Sequence, residues 1–131
     1  MSAASNYLEN KLLDHILRAV GYSSPAIVYI ALHTSDPTDA ALANEVSGNA
    51  YARVSVTAGF NAPSNGVTQN TSAINFPTPT GSGWGTITHA SIWDASTSGN
   101  MLLSGPLSQY KGVAAGDTVR FNPGDLVVSV A

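Results

Sequence analysis

The chain has 131 residues, of which 44% are hydrophobic and only 10% charged, with no cysteine; this supplies the core of one domain and leaves too little for a second of ordinary size. The missing cysteine excludes disulfides, thiolate-held zinc, iron–sulfur sites and a cysteine nucleophile. Five Lys plus Arg against eight Asp plus Glu give a net charge of -3, which argues against direct nucleic-acid binding through a basic surface.

In chain order, Leu8, Leu12, Leu13, Ile16, Leu17 and Val20 trace one face of a helix over 6–20. Asn6 and Glu9 have the spacing of a capping box, and Gly21 can close the helix with a positive φ. The apolar face needs a partner, either the local core or a neighbouring chain. A β-rich body is expected over 25–130. It starts with Ala26–His33, whose β-branched and aromatic residues predict a buried central strand. The cluster Thr34–Asp39 favours turns, and Ala40–Val46 has room for one helical turn. In Tyr51–Ala58, polar and small apolar residues alternate, which predicts a strand with Ala52, Val54, Val56 and Ala58 facing inward.

Thr71–Phe76 predicts a further short strand, and Pro77–Gly83 a surface loop. In Thr86–Asp94, a regular period of two would place Ile87, His89, Ser91 and Trp93 on one face and Thr88, Ala90 and Ile92 on the other. Ala95–Asn100 reads as a hairpin connection into Met101–Leu107, with a kink at Gly105–Pro106. Thr118–Phe121, the turn Asn122–Asp125 and Leu126–Val130 predict a closing hairpin. Six or seven short strands punctuated by Gly, Pro and Asn predict a mainly β protein, an antiparallel β-sandwich or jelly-roll-like barrel with an N-terminal α-helix, spanning 1–131 as one domain. No run approaches the ~20 apolar residues of a membrane span, so a soluble protein without membrane association is expected.

The segments Asn6–Asp14, Tyr29–Pro37, Gly48–Arg53, Ile74–Pro77, Trp84–His89 and Gly116–Phe121 resemble, in this order, a family of small tailed-bacteriophage virion structural proteins. The likeness covers nearly the entire chain. Such proteins are tail-fibre-like or resemble capsid cement (decoration) proteins. The likeness brings no catalytic residue set, so a non-enzymatic role is expected. The preferred expectation is a cement protein on the outer capsid surface, assembled in the host cytoplasm, with the major capsid protein and further copies of itself as partners. The alternative is a tail-associated module that meets tail proteins and binds a host receptor or glycan, and exposed aromatic residues would mark it.

Among the residues with chemistry, His33 and His89 could ligate a metal, but their surroundings suit turn bonding or packing better, and neither a metal nor a cofactor is expected. Ser55, Ser91 and Ser104 lack the strand-to-helix elbow of a serine nucleophile. Asp36, Asp39 and Asp94 read as turn residues rather than a cation site or a glycosidase pair, and Gly81–Gly85 is neither a Walker loop nor a dinucleotide fingerprint. Leu8, Leu12, Ile16, Arg53, Trp84, Trp93 and Arg120 are the candidate assembly interface of a homo-oligomer. Tyr51, Trp84 and Trp93 are the alternative ligand contacts, because tyrosine and indole rings combine apolar area with a hydrogen-bonding group.

Overall fold

The computed structural model describes residues 3–130; Met1, Ser2 and Ala131, the ends of the expected domain, lie outside the described residues. A two-residue strand β1 (Ala3–Ala4) leads into helix α1 (Asn6–Leu17), followed by strands β2 (Val28–His33), β3 (Val54–Val56), β4 (Val67–Gln69), β5 (Ile74–Asn75), β6 (Gly85–Trp93), β7 (Met101–Val113), β8 (Arg120–Phe121) and β9 (Val127–Ser129). A five-stranded antiparallel sheet has the order β1-β7-β6-β2-β3, and two separate ladders pair β4 with β9 and β5 with β8.

The mainly β, antiparallel character with one N-terminal helix is as expected, but no closed barrel or jelly roll forms among the described residues. The sheet ends in two open edges, β1 and β3. The expected second sheet breaks into two ladders because β4, β5, β8 and β9 are only two or three residues long, bounded by Pro63, Pro77 and Pro123, which interrupt pairing. The closing hairpin is also corrected. Its turn exists, with Asp125 N–H donating to Asn122 O at 2.9 Å, yet β8 turns to β5 and β9 to β4.

Helix α1 begins at Asn6 as the sequence pattern suggests, but its cap lies one residue earlier and it ends sooner, at Leu17. Ser5, not Asn6, is the cap, its hydroxyl accepting the Leu8 N–H at 3.2 Å; Glu9 then lies in the first turn, where it favours the helix dipole. Arg18 closes the other end, followed by Ala19 at φ 56, so the left-handed residue is an alanine and Gly21 plays no part. The first turn is tied down by Ser5 N–H on Leu102 O and Asn6 N–H on Asp39 O, both 2.9 Å, and Tyr7 and Leu8 pack against the core.

The core joins the sheet to the ladders: Ile30, Leu32, Ile87, Ala90, Ile92 and Leu102 meet Ile74, Phe76, Val119 and Val128 in one buried cluster. Strand β2 is central as expected, with Ile30, Ala31, Leu32 and His33 all buried. Residues 40–46 form turns and a bridge rather than a helical turn. Strand β3 is shorter than 51–58; Val54 and Val56 do pack on the core, but so does Tyr51, which the alternation had placed on the polar face. Trp84 follows Gly83, at φ +77 against the Val113–Ala114 backbone, where a Cβ would collide.

Strand β6 departs from its expected two-face alternation at one place. Ile87 faces Lys111 and His89 faces Pro106. Only Thr88 lies between these pairs on β6, whereas Leu107, Ser108, Gln109 and Tyr110 lie between them on β7. The β-bulge lets Ile87 join Ala90 and Ile92 in the core, and it carries β7 past the expected kink to Val113. Pro106 falls where β7 is an outer strand, beyond the two residues of β1 that pair with Leu103 and Ser104, a position that tolerates proline.

Candidate functional site

His33, Tyr51, Arg53, Ser91 and Trp93, all singled out from the sequence, converge on one network. Arg53 reaches from the segment before β3 to form a bidentate pair with Glu45, Nε to Oε2 at 2.9 Å and Nη2 to Oε1 at 2.8 Å. Its Nη1 donates to the carbonyls of Ala95 and Ser98 at 2.8 and 2.9 Å, fastening the β6–β7 hairpin. The guanidinium also lies 3.9 Å from the centre of the Trp93 ring, a cation–π contact. The Tyr51 hydroxyl donates to Glu45 Oε2 at 2.7 Å and accepts the Leu32 N–H at 2.9 Å. Burial and the adjoining carboxylate push the Tyr51 phenol far up, so it remains a donor. Burial pushes the Glu45 carboxyl up, but hydrogen bonds from Arg53 and Tyr51 outweigh this and hold it below its ordinary value.

A second chain of hydrogen bonds crosses from β6 to β2. Trp93 Nε1–H donates to Ser91 Oγ at 2.7 Å, and Ser91 Oγ stands 2.6 Å from His33 Nε2. On the other side of the ring, His33 Nδ1 is 2.8 Å from Asn44 Oδ1, while Asn44 Nδ2 donates to Asp36 O at 2.9 Å. Indole can only donate and the Asn44 amide nitrogen is already used, so the proton sits on His33 Nδ1 and the Ser91 hydroxyl donates to Nε2. This serine–histidine–asparagine connectivity matches that of a nucleophile relay, but Ser91 and His33 are 1% and 0% exposed and every polar atom of the relay is engaged inside the protein. It joins β2, β6 and the 36–45 segment.

Burial lowers the His33 pKa below its ordinary 6.5. Between the folded and unfolded values the unfolded chain holds the extra proton, so the stability present above that window is lost as pH falls through it, at no more than about 1.4 kcal/mol per pH unit. The thermal midpoint is therefore expected to drop between pH 7 and pH 5, and His33→Gln to flatten that slope whatever it does to the midpoint itself. An unchanged slope in the variant would assign the effect to another group.

Of the three expected ligand aromatics, Trp84 is buried and Tyr51 and Trp93 are half-buried. Trp84 is 5% exposed; it stands edge-on to Tyr51 at 5.3 Å and donates its indole N–H to Asn49 O at 2.9 Å. Tyr51 and Trp93 are half-buried, with the Tyr51 hydroxyl and one Trp93 face occupied as described. Arg53 is likewise consumed internally, its side chain 7% exposed. Of the expected interface residues, Leu8 packs on the core, Arg120 is exposed on β8, and Leu12 and Ile16 lie exposed on α1 beside Leu13 and Leu17.

What the sequence did not flag is a half-open cleft of ≈ 820 Å³ beside the β7 bulge. Ala90, Ile92 and Leu103 line it from the sheet, Phe121 and Val128 from the ladders and Leu126 from the turn before β9, and Gln109, Tyr110, Lys111 and Asp125 bring polar groups to it. Tyr110 is 67% exposed. A smaller cleft of ≈ 260 Å³ contains Asp36, Asp39 and His89, where His89 Nε2 is 4.0 Å from Asp36 Oδ1. Among the described residues no group of three or more His, Asp or Glu is placed to hold a metal ion, and no helix is long and apolar enough to cross a membrane.

Compared with known families, residues 3–129 match the family model described as Podophage GP4 fiber I protein gp80. The chain belongs to this family. It is thus a tailed-bacteriophage virion structural protein of the fibre type, in agreement with the resemblance carried by its segments. None of the curated proteins matches it. Within this fibre-type chain, the match spans both the interior network and the cleft. Composition could have offered one signal for the cleft, an aromatic residue stranded in the polar run Ser108–Lys111, outside any alternating pattern.

Proposed function

We propose that the chain is a fibre component that contacts the host surface, a non-enzymatic recognition module rather than a capsid cement. Family membership over residues 3–129 carries this reading, because it favours the fibre over the shell as the protein's place in the virion. The cement reading, preferred on sequence, has no observation of its own to set against that. The exposed aromatic expected of a recognition module is Tyr110 rather than Tyr51, Trp84 or Trp93. Assembly into the fibre would cover the apolar stripe of α1, whose Leu13, Ile16 and Leu17 are 56%, 72% and 73% exposed, more apolar surface than an isolated helix face leaves in water without a partner.

Labelling the protein in intact virions tests the reading. Antibody-bound gold is expected on the tail fibres, and virions blocked by that antibody should adsorb poorly to host cells. Regular labelling over the capsid shell would restore the cement role and overturn this one.

A further inference from the structure

We infer that the cleft beside the β7 bulge is a saccharide subsite, selective for a neutral pyranose that carries a small apolar substituent such as an N-acetyl or methyl group. This rests on the host-recognition reading and gives it a place on the molecule. The bulge is the starting point, since Leu107–Tyr110 are excluded from the β6 ladder and a β-bulge re-aims the side chains it carries. Gln109 and Tyr110 are exposed on the cleft and make no internal hydrogen bond or ring contact. Their polar groups remain available, unlike those of Tyr51 and Trp93.

Three features select the ligand. An exposed tyrosine ring suits the C–H face of a pyranose, with the amide of Gln109 in place for its hydroxyls. The apolar lining from Ala90, Ile92 and Leu103 suits a methyl group and offers nothing to a second charge. The charged groups at the cleft are one lysine, Lys111, and one aspartate, Asp125, a balance that favours a neutral sugar over a sialic acid or a phosphate. The volume falls within the ~300–1,000 Å³ of small-ligand sites, enough for a short oligosaccharide.

The probe is purified surface polysaccharide from the host, immobilised, with the full chain passed over it. Wild-type protein is expected to be retained, and free N-acetylglucosamine to displace it at lower concentration than glucose. Tyr110→Ala, at an exposed position, should keep the wild-type circular dichroism and bind at least about 10-fold more weakly, the loss of about 1.4 kcal/mol of contact; Gln109→Ala should weaken binding as well. Retention by wild type that neither substitution alters would overturn the cleft assignment and leave host recognition by another surface. Equal competition by glucose would overturn the apolar substituent. No retention of wild-type protein would count against the host-recognition reading itself.

Discussion

Replacing Asn70 with leucine is expected to destabilise the protein by about 3 kcal/mol, although the substitution changes no charge and adds apolar bulk. The Asn70 side chain is 1% exposed and fully bonded. Its Nδ2 donates to Ser72 O and Asn122 O at 2.9 and 3.0 Å, and its Oδ1 accepts the Leu126 N–H at 2.9 Å. Leucine would strand three backbone groups, each costing about 1–3 kcal/mol when its buried partner is removed, less what water recovers. Urea unfolding measures the loss; with a slope of about 1–3 kcal/mol per molar for a small protein, the midpoint should fall by about 1 M or more. The Asn70 backbone also receives Gly124 N–H at 2.8 Å, so this residue holds the turn that leads into β9. Since Leu126 and Val128 line the cleft, Asn70→Leu should weaken saccharide binding while Tyr110 stays intact. A midpoint equal to wild type would mean that the amide is not the clamp.

Substituting Arg53 with methionine should cost a similar amount, about 3–4 kcal/mol at neutral pH, because removing one partner of a buried pair leaves the other charge unmatched. Glu45 would keep only Tyr51, and the carbonyls of Ala95 and Ser98 would lose their donor. The contribution of Glu45 to the pH dependence should change as well. In the wild type the Glu45 carboxyl is held low, so its contribution is present above the ordinary carboxylate pKa of 4.5 and is lost as pH falls through the lower folded value. Without Arg53, burial is the largest influence left on Glu45 and acts to raise that pKa; the folded state then gives up less as Glu45 takes its proton, and the variant should lose less stability between pH 7 and pH 4 than the wild type does. Thermal midpoints across this range distinguish the two cases, and Glu45→Met combined with Arg53→Met should recover part of the loss. A variant whose midpoint falls toward acid as steeply as the wild type would refute the assignment.

Legibility from sequence followed the distance over which each residue's environment is set. The central strand was readable because Ile30–Leu32 is an apolar run covered on both sides, and the hairpin connection over 95–100 because Asp94 and Asn100 close it locally, Asn100 N–H to Asp94 Oδ1 at 2.7 Å. The phase of β6 was not readable: the residues that break it belong to β7, and alternation within one strand carries no information about extra residues in its neighbour. The pairing of β8 and β9 failed for the same reason. A turn at 122–125 implies a hairpin until Asn70, more than fifty positions away, captures it. Tyr51, Arg53 and Trp93 stand out in the sequence as interface or ligand candidates, but their polar groups are directed at Glu45, Ser91 and each other. Tyr110 escaped notice because nothing local distinguishes an aromatic on a bulge from one in an ordinary turn.

The bulge in β7 also bears on how the protein can vary. Leu107–Tyr110 hang between two fixed pairs, His89 with Pro106 and Ile87 with Lys111, so changes at Ser108, Gln109 or Tyr110 leave the pairs on either side and the buried cluster beneath them in place. A mutation at those three positions can alter what the surface recognises with little cost to folding, whereas one at Arg53 or Asn70 cannot. With the recognition site proposed above at the cleft, a phage under pressure to follow a changing host coat would have room for change in this short stretch without disturbing the core beneath it.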